Sequence, residues 1–162
     1  MQNLQRRSVL LLLAAAGLGA CAPKTSPQMD LRENTARIPL HPNETPELRA
    51  LINKWADFYD VPRPLVHRLA IRESTHRPEA RNGPYYGLLQ ILPATARGMG
   101  FRGTPSDLLN PDINLQYSVK YLRGAWMLAD GSHDTAIKWY ARGYYYEAKR
   151  RGMLVETGLR AG

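Results

Sequence analysis

Cys21 is the only cysteine in the chain, and it stands directly after twelve apolar or small residues, Val9 to Ala20. That limits what the chain can fold into. No disulfide can close within it and no thiolate cluster can hold a metal, so the fold must rest on an apolar core and hydrogen bonds. The apolar run is too short for a transmembrane helix, which needs about 20 apolar residues. With Arg6 and Arg7 ahead of it and small residues at its end, it has the form of a secretory signal.

The last four residues of that stretch, Leu18-Gly19-Ala20-Cys21, resemble a bacterial lipobox. The resemblance implies a signal peptide over 1–20, cleavage before Cys21 and lipid on that cysteine, hence a periplasmic protein tied to a membrane by a lipid anchor. Ala22 rather than aspartate follows Cys21, which by likeness to other bacterial lipoproteins favours the outer membrane over the inner. Arg6-Arg7-Ser8 fits twin-arginine export, and the apolar run fits general secretion equally well. Both routes stay open. Residues 1–20 carry two of the 22 basic residues and no acid, so the remaining 142 residues hold 20 basic against 14 acidic, a net +6. Such a charge suits anionic headgroups or acidic wall polymers. Nucleic acid is the usual partner for it, and export argues against that one.

Residues 21–45 hold Pro23, Pro27, Pro39 and Pro42 among polar residues and read as an extended tether. Residues 46–151 are long enough for one domain, and 152–162 read as a C-terminal tail. The domain is expected to be all-α: a single compact helical unit with minimal strand content. Thr45 is placed to cap a helix with Pro46 in its first turn, and Leu48, Leu51, Ile52, Trp55 and Phe58 recur on one face. A second helix starts near Pro62 or Pro64, carries Leu65, Val66, Leu69 and Ala70, and must stop before Pro78. Asn110-Pro111 opens a longer helix that Gly131 is placed to end. A shorter helix runs through Ile137 to Ala141, and Gly143 separates it from 144–151. A short hairpin or irregular loop is expected over 79–92, turning at Asn82-Gly83-Pro84.

Glu73 is the informative residue. Steps of three and four back from it land on Ala70, Leu69, Val66 and Leu65, so the carboxyl shares the apolar face near the C-terminal end of its helix. Burial and the negative end of the helix dipole both disfavour its charged form. A carboxyl kept partly protonated near neutrality is what a general acid in glycoside cleavage requires. Pairing with Arg72, Arg77 or Arg81 at a helix end explains the position equally well, and position alone leaves both readings open.

The surrounding residues add a resemblance. Glu73-Ser74 is followed by Gly87-Leu88-Leu89-Gln90-Ile91 and Pro93-Ala94-Thr95-Ala96. Then come Asn110-Pro111-Asp112-Ile113-Asn114-Leu115, Tyr121-Leu122 and Trp139-Tyr140-Ala141-Arg142-Gly143. In this order and spacing they resemble the catalytic domain of soluble lytic transglycosylases over about residues 46–145. The resemblance implies a goose-lysozyme-like helical fold and peptidoglycan glycan strands as substrate. It implies Glu73 as sole catalytic acid/base, cleaving between N-acetylmuramic acid and N-acetylglucosamine with closure of a 1,6-anhydro ring. It further implies substrate-binding roles for Gln90, Leu89, Gly87 and Tyr140, with Ser74 capping or orienting the catalytic segment. No cofactor is implied, and the protein is expected to act as a monomer.

Two departures stand out. Ala141 occupies the place of a usual asparagine, and Pro84-Tyr85-Tyr86 replaces small residues before Gly87. The three tyrosines 144–146 cannot share one helix face, so at least one must reach the surface or a groove. A hydrolytic muramidase using Glu73 and a non-catalytic wall-binding lipoprotein remain rivals. His41, His67, His76 and His133 are scattered and no pair has the spacing of a helical zinc motif, so no metal site is expected.

Overall fold

The computed structural model describes residues 38–161. The signal, Cys21 and the tether up to residue 37 lie outside the described residues. The compact unit that carries the helices begins at Pro39.

Six α-helices are present among the described residues, with one two-stranded sheet. Helix α1, Pro46–Phe58, starts as its sequence predicts, with Thr45 Oγ1 accepting the Leu48 N–H at 3.2 Å. Phe58 departs from the expected apolar face and is 70% exposed. Helix α2, Arg63–Ser74, buries Leu65, Val66, Leu69 and Ala70 and follows Pro62. It ends on two successive left-handed residues, Thr75 and His76, at φ 54° and 56°, an uncommon conformation for side chains of this kind.

Of the hairpin and the irregular loop expected over 79–92, the hairpin forms, with β1 (Arg81–Asn82) pairing antiparallel to β2 (Tyr85–Tyr86). Helix α3 (Pro93–Gly98) and a 3₁₀ turn (Pro105–Leu109) follow. Neither is legible in the sequence, because a five- or six-residue helix buries only one side chain, Ala96 or Leu108, and so leaves no periodic stripe. Helix α4, Pro111–Met127, is capped by Asn110, whose Oδ1 accepts from Asp112 N and Ile113 N. It stops short of Gly131. Leu128 to Ser132 form tight turns, with Asp130 and Gly131 at positive φ. Helix α5, His133–Arg142, is capped by Ser132, and Gly143 at φ 83° turns the chain into α6, Tyr145–Arg150.

Helix α4 packs against both α1 and α5 at the centre of the larger core, which also takes in α2 and Ala148 of α6. A smaller core of Ile91, Ala96, Phe101 and Leu108 sits beside the hairpin. Both ends of the compact unit are more ordered than the tether and tail readings suggest. Glu44 is buried and paired with Arg49, and Arg49 Nη2 also donates to the Pro39 carbonyl at 2.8 Å. These anchors are polar, so an apolar pattern could not reveal them. At the other end, Met153, Leu154 and Leu159 pack on the core, and Thr157 is buried. Gly124 makes this possible, since a Cβ there would lie 2.4 Å from the Tyr144 hydroxyl and 2.9 Å from the Thr157 carbonyl.

Candidate active site

Glu73 lies in the last turn of α2, and its side chain is 22% exposed. Burial raises its proton affinity above the ordinary carboxyl value, and the Arg72 charge opposes this. Arg72 Nε stands 3.4 Å from Glu73 Oε1 with half of its own side chain in solvent. A solvated pair of this kind is weak, so desolvation dominates.

Ser74 is buried directly behind Glu73. Its hydroxyl donates to the Ala70 carbonyl at 3.3 Å and accepts the Arg77 N–H at 3.2 Å. Both functions of the hydroxyl go into the helix end.

The 86–91 segment is held from below by Asn114, which is wholly buried in α4. Its Oδ1 accepts from Leu89 N at 3.0 Å and Ser118 Oγ at 3.3 Å. Its Nδ2 donates to the Tyr86 and Leu108 carbonyls, each at 2.9 Å. Asn114 belongs to one of the motifs in the sequence, yet the resemblance assigns it no role. The available signal is a polar residue on the buried face of α4, four residues before Ser118 and next to Leu115.

Gly87 adopts φ 74°, and a Cβ there would lie 2.2 Å from the Leu108 carbonyl and 2.3 Å from Asn114 Nδ2. The close approach that this glycine permits is therefore to the protein's own scaffold. Replacing it with alanine combines left-handed strain with overpacking, about 2–4 kcal/mol together. Gly87→Ala is expected to lower the melting temperature by roughly 10 °C, measured by thermal denaturation followed by circular dichroism.

Leu89 has no exposed surface, and its carbonyl accepts the Tyr140 hydroxyl at 2.8 Å. Its side chain belongs to the core, and its backbone is the part that meets Asn114 and Tyr140. Gln90, at φ 47°, donates through Nε2 to the Ala80 and Gly87 carbonyls at 3.0 and 2.8 Å. That closes the loop on itself, and no partner for Gln90 Oε1 occurs among the described residues.

Gln90 and Tyr140 meet across a cleft of ≈ 220 Å³ lined also by Tyr85, Tyr121, Ala141 and Gly143. The cleft runs between Ile91 of the smaller core and Tyr140 of the larger. Tyr121 packs edge-on to Tyr140, with ring centroids 5.3 Å apart. Glu73 is not among the lining residues. Tyr140 also lines the cleft, and burial, first of all, raises the proton affinity of its hydroxyl, with the Glu73 charge acting in the same direction. Tyr121 likewise sits in a motif that assigns it no role. Tyr85 reaches the cleft rim at 41% exposure. Of the later tyrosines, Tyr144 is buried with its hydroxyl on the Tyr121 carbonyl, while Tyr146 is 83% exposed.

The histidines that look scattered in sequence do not remain so. His41, His67 and His76 converge with Glu44, their ligand-capable atoms all within 4.8 Å of one another. His133 stands apart, edge-on to Trp126.

A family model described as a transglycosylase SLT domain matches residues 50–151. No curated protein and no solved structure gives a significant match.

Proposed function

The chain belongs to the transglycosylase SLT domain family, whose enzymes act on peptidoglycan, and we propose that it is a lytic transglycosylase with Glu73 as its single acid/base. The observation that carries this reading is the state of Glu73: a carboxyl largely withdrawn from water at a helix end, its proton affinity raised by burial.

In the first step Glu73, protonated, donates to the glycosidic oxygen as the bond from the N-acetylmuramic acid anomeric carbon breaks. The carboxylate left behind then takes the proton of that sugar's 6-hydroxyl while its oxygen attacks the anomeric carbon, closing the 1,6-anhydro ring. Glycosidases ordinarily need two carboxyls. One suffices here because the nucleophile belongs to the substrate. The other candidate acids are engaged in the fold. Asp112 and Asp134 stand in first helical turns and Asp107 completes a capping box, and Asp112 also holds Lys54 and Trp55.

Gln90 offers Oε1 to a sugar hydroxyl, and the rings of the exposed Tyr85 and the partly buried Tyr121 offer apolar surface to a pyranose at the same cleft. Ala141 is exposed in the cleft and donates nothing to sugar from its side chain. In the same reading Cys21 carries lipid and holds a monomeric enzyme to the membrane on the periplasmic side.

The pH dependence follows from the sign of the Glu73 shift. The reactive form is protonated, so activity falls as pH rises through a pKa above the ordinary carboxyl value. Arg72 opposes the shift, so Arg72→Gln is expected to move that falling limb to higher pH. A pH–rate profile on solubilised glycan strands measures both.

The deciding experiment incubates the purified chain with peptidoglycan and weighs the released muropeptides by mass spectrometry. Products ending in 1,6-anhydro-N-acetylmuramic acid are expected. Products one water heavier, with a reducing end, would make the enzyme a muramidase on the same site. Wall binding without any product would leave a binding protein.

A further inference from the structure

We propose that His41, Glu44, His67 and His76 form a binding site for one divalent transition-metal ion, best suited to Zn²⁺. Three imidazoles and one carboxylate are the donor set of zinc rather than of magnesium or calcium, which favour all-oxygen ligands. A zinc bond of about 2.0–2.1 Å to nitrogen, in tetrahedral geometry, puts neighbouring ligand atoms about 3.3–3.4 Å apart. His67 Nδ1 lies 3.3 Å from His76 Nε2 and 3.4 Å from Glu44 Oε1. Two edges of such a site therefore already have the right length. His41, stacked on His76 at 4.9 Å with planes 6° apart, completes the group by a small ring rotation, since no two of the four ligand atoms are farther apart than 4.8 Å.

Protons satisfy this cluster poorly. One proton on His67 Nδ1 can point at His76 or at Glu44, not at both.

Glu44 is already oriented for the role. Its Oε2 accepts from Arg49 Nη2 at 2.6 Å and His41 N at 2.8 Å, and Oε1 accepts from Arg49 Nε at 3.1 Å on the side that faces His67. This is how outer partners fix a ligating carboxylate. The Arg49 charge also lowers the affinity below that of an isolated donor set.

The placement gives the ion a mechanical consequence. His41 and Glu44 precede α1, His67 is in α2, and His76 follows α2 by two residues. An ion here clasps residues 41–44 onto the left-handed Thr75–His76 turn, which Asn43 Nδ2 already holds through the Thr75 carbonyl at 3.0 Å. That turn terminates the helix carrying Glu73.

The test treats the purified full chain with chelator and then titrates ZnCl₂ by calorimetry, with thermal denaturation in parallel. One Zn²⁺ per chain and a rise in melting temperature that MgCl₂ does not reproduce are expected. Co²⁺ in place of Zn²⁺ should give the intense visible absorption of a tetrahedral site. His41→Ala and His67→Gln should each weaken Zn²⁺ binding at least about tenfold, and His133→Ala should leave it unchanged. The proposal is overturned by absence of stoichiometric binding to the wild-type chain, or by binding that survives His41→Ala undiminished. His41 lies in the docked segment outside the helices, so His41→Ala tests the site even if His67→Gln fails to fold.

Discussion

Glu73→Gln is expected to reduce muropeptide release by about 10²- to 10⁴-fold, the usual contribution of a positioned general acid, while the fold survives intact. Glutamine keeps the size of the side chain and can still donate a hydrogen bond toward a glycosidic oxygen. It cannot transfer a proton and then take one back. The thermal behaviour of the variant separates a chemical loss from a structural one. Burial raises the proton affinity of Glu73 in the folded chain, so across the window between the unfolded and folded pKa values the folded state binds more protons than the unfolded one. Stability tied to this group is complete below the unfolded value and is lost as pH rises through the folded value. Once the pH is above the folded value the wild-type chain carries a desolvated charge that the variant lacks, and Glu73→Gln should melt higher there. Near pH 4 most of that difference should vanish, because the wild-type carboxyl is then largely protonated. An inactive variant that melts lower at pH 7 would indicate a structural defect. A variant that retains wild-type release would remove Glu73 from the chemistry.

The starts of α1 and α4 were legible because each rests on local chemistry, a Thr45 or Asn110 oxygen accepting from the next turn. By contrast, α5 begins at His133, four residues before the expected Ile137, on a Ser132 cap the sequence reading did not mark. The end of α4 was not legible either, since Gly131 marks a turn that only packing places three residues after Leu128. Glu73 stood out because a carboxylate interrupts an apolar stripe, a pattern internal to one helix. The resemblance marked Ser74, Gly87 and Leu89 as well, but a motif identifies positions, not the atoms that face the ligand. All three turn inward. Ser74 closes a helix end, Gly87 admits Asn114, and Leu89 exchanges backbone hydrogen bonds with Asn114 and Tyr140. The histidine cluster was illegible for a different reason. His41, His67 and His76 lie in three separate segments, and nothing along the chain shows that the residues before α1 fold onto the end of α2.

Asn114→Ala is the substitution expected to cost the most stability. It strands the Leu89 N–H and the Leu108 carbonyl, each worth about 1–3 kcal/mol if left buried and unpaired, while the Tyr86 carbonyl keeps the Ile91 N–H at 3.1 Å. Water entering from the hairpin side recovers part of this, so a net loss of about 2–4 kcal/mol is expected against a typical total of about 5–15 kcal/mol. The midpoint of denaturant unfolding measures it. Asn114→Asp tests the mechanism more sharply. It retains an acceptor for Leu89 N but turns a carboxylate oxygen on the Tyr86 and Leu108 carbonyls, so it should destabilise despite being nearly isosteric. Activity should fall with both variants, because the Leu89 carbonyl that fixes the Tyr140 hydroxyl is set by the same contact. The clearest evidence is the coupling with Gly87→Ala. Alone, that methyl group collides with the Asn114 amide and the Leu108 carbonyl. With Asn114 already truncated, one of the two obstacles is gone and the loop is free to shift. Gly87→Ala should then cost markedly less than in the wild-type background, a non-additivity of about 0.5–3 kcal/mol. Strict additivity would mean that the glycine and the amide act independently, and that the loop is positioned by something other than their contact.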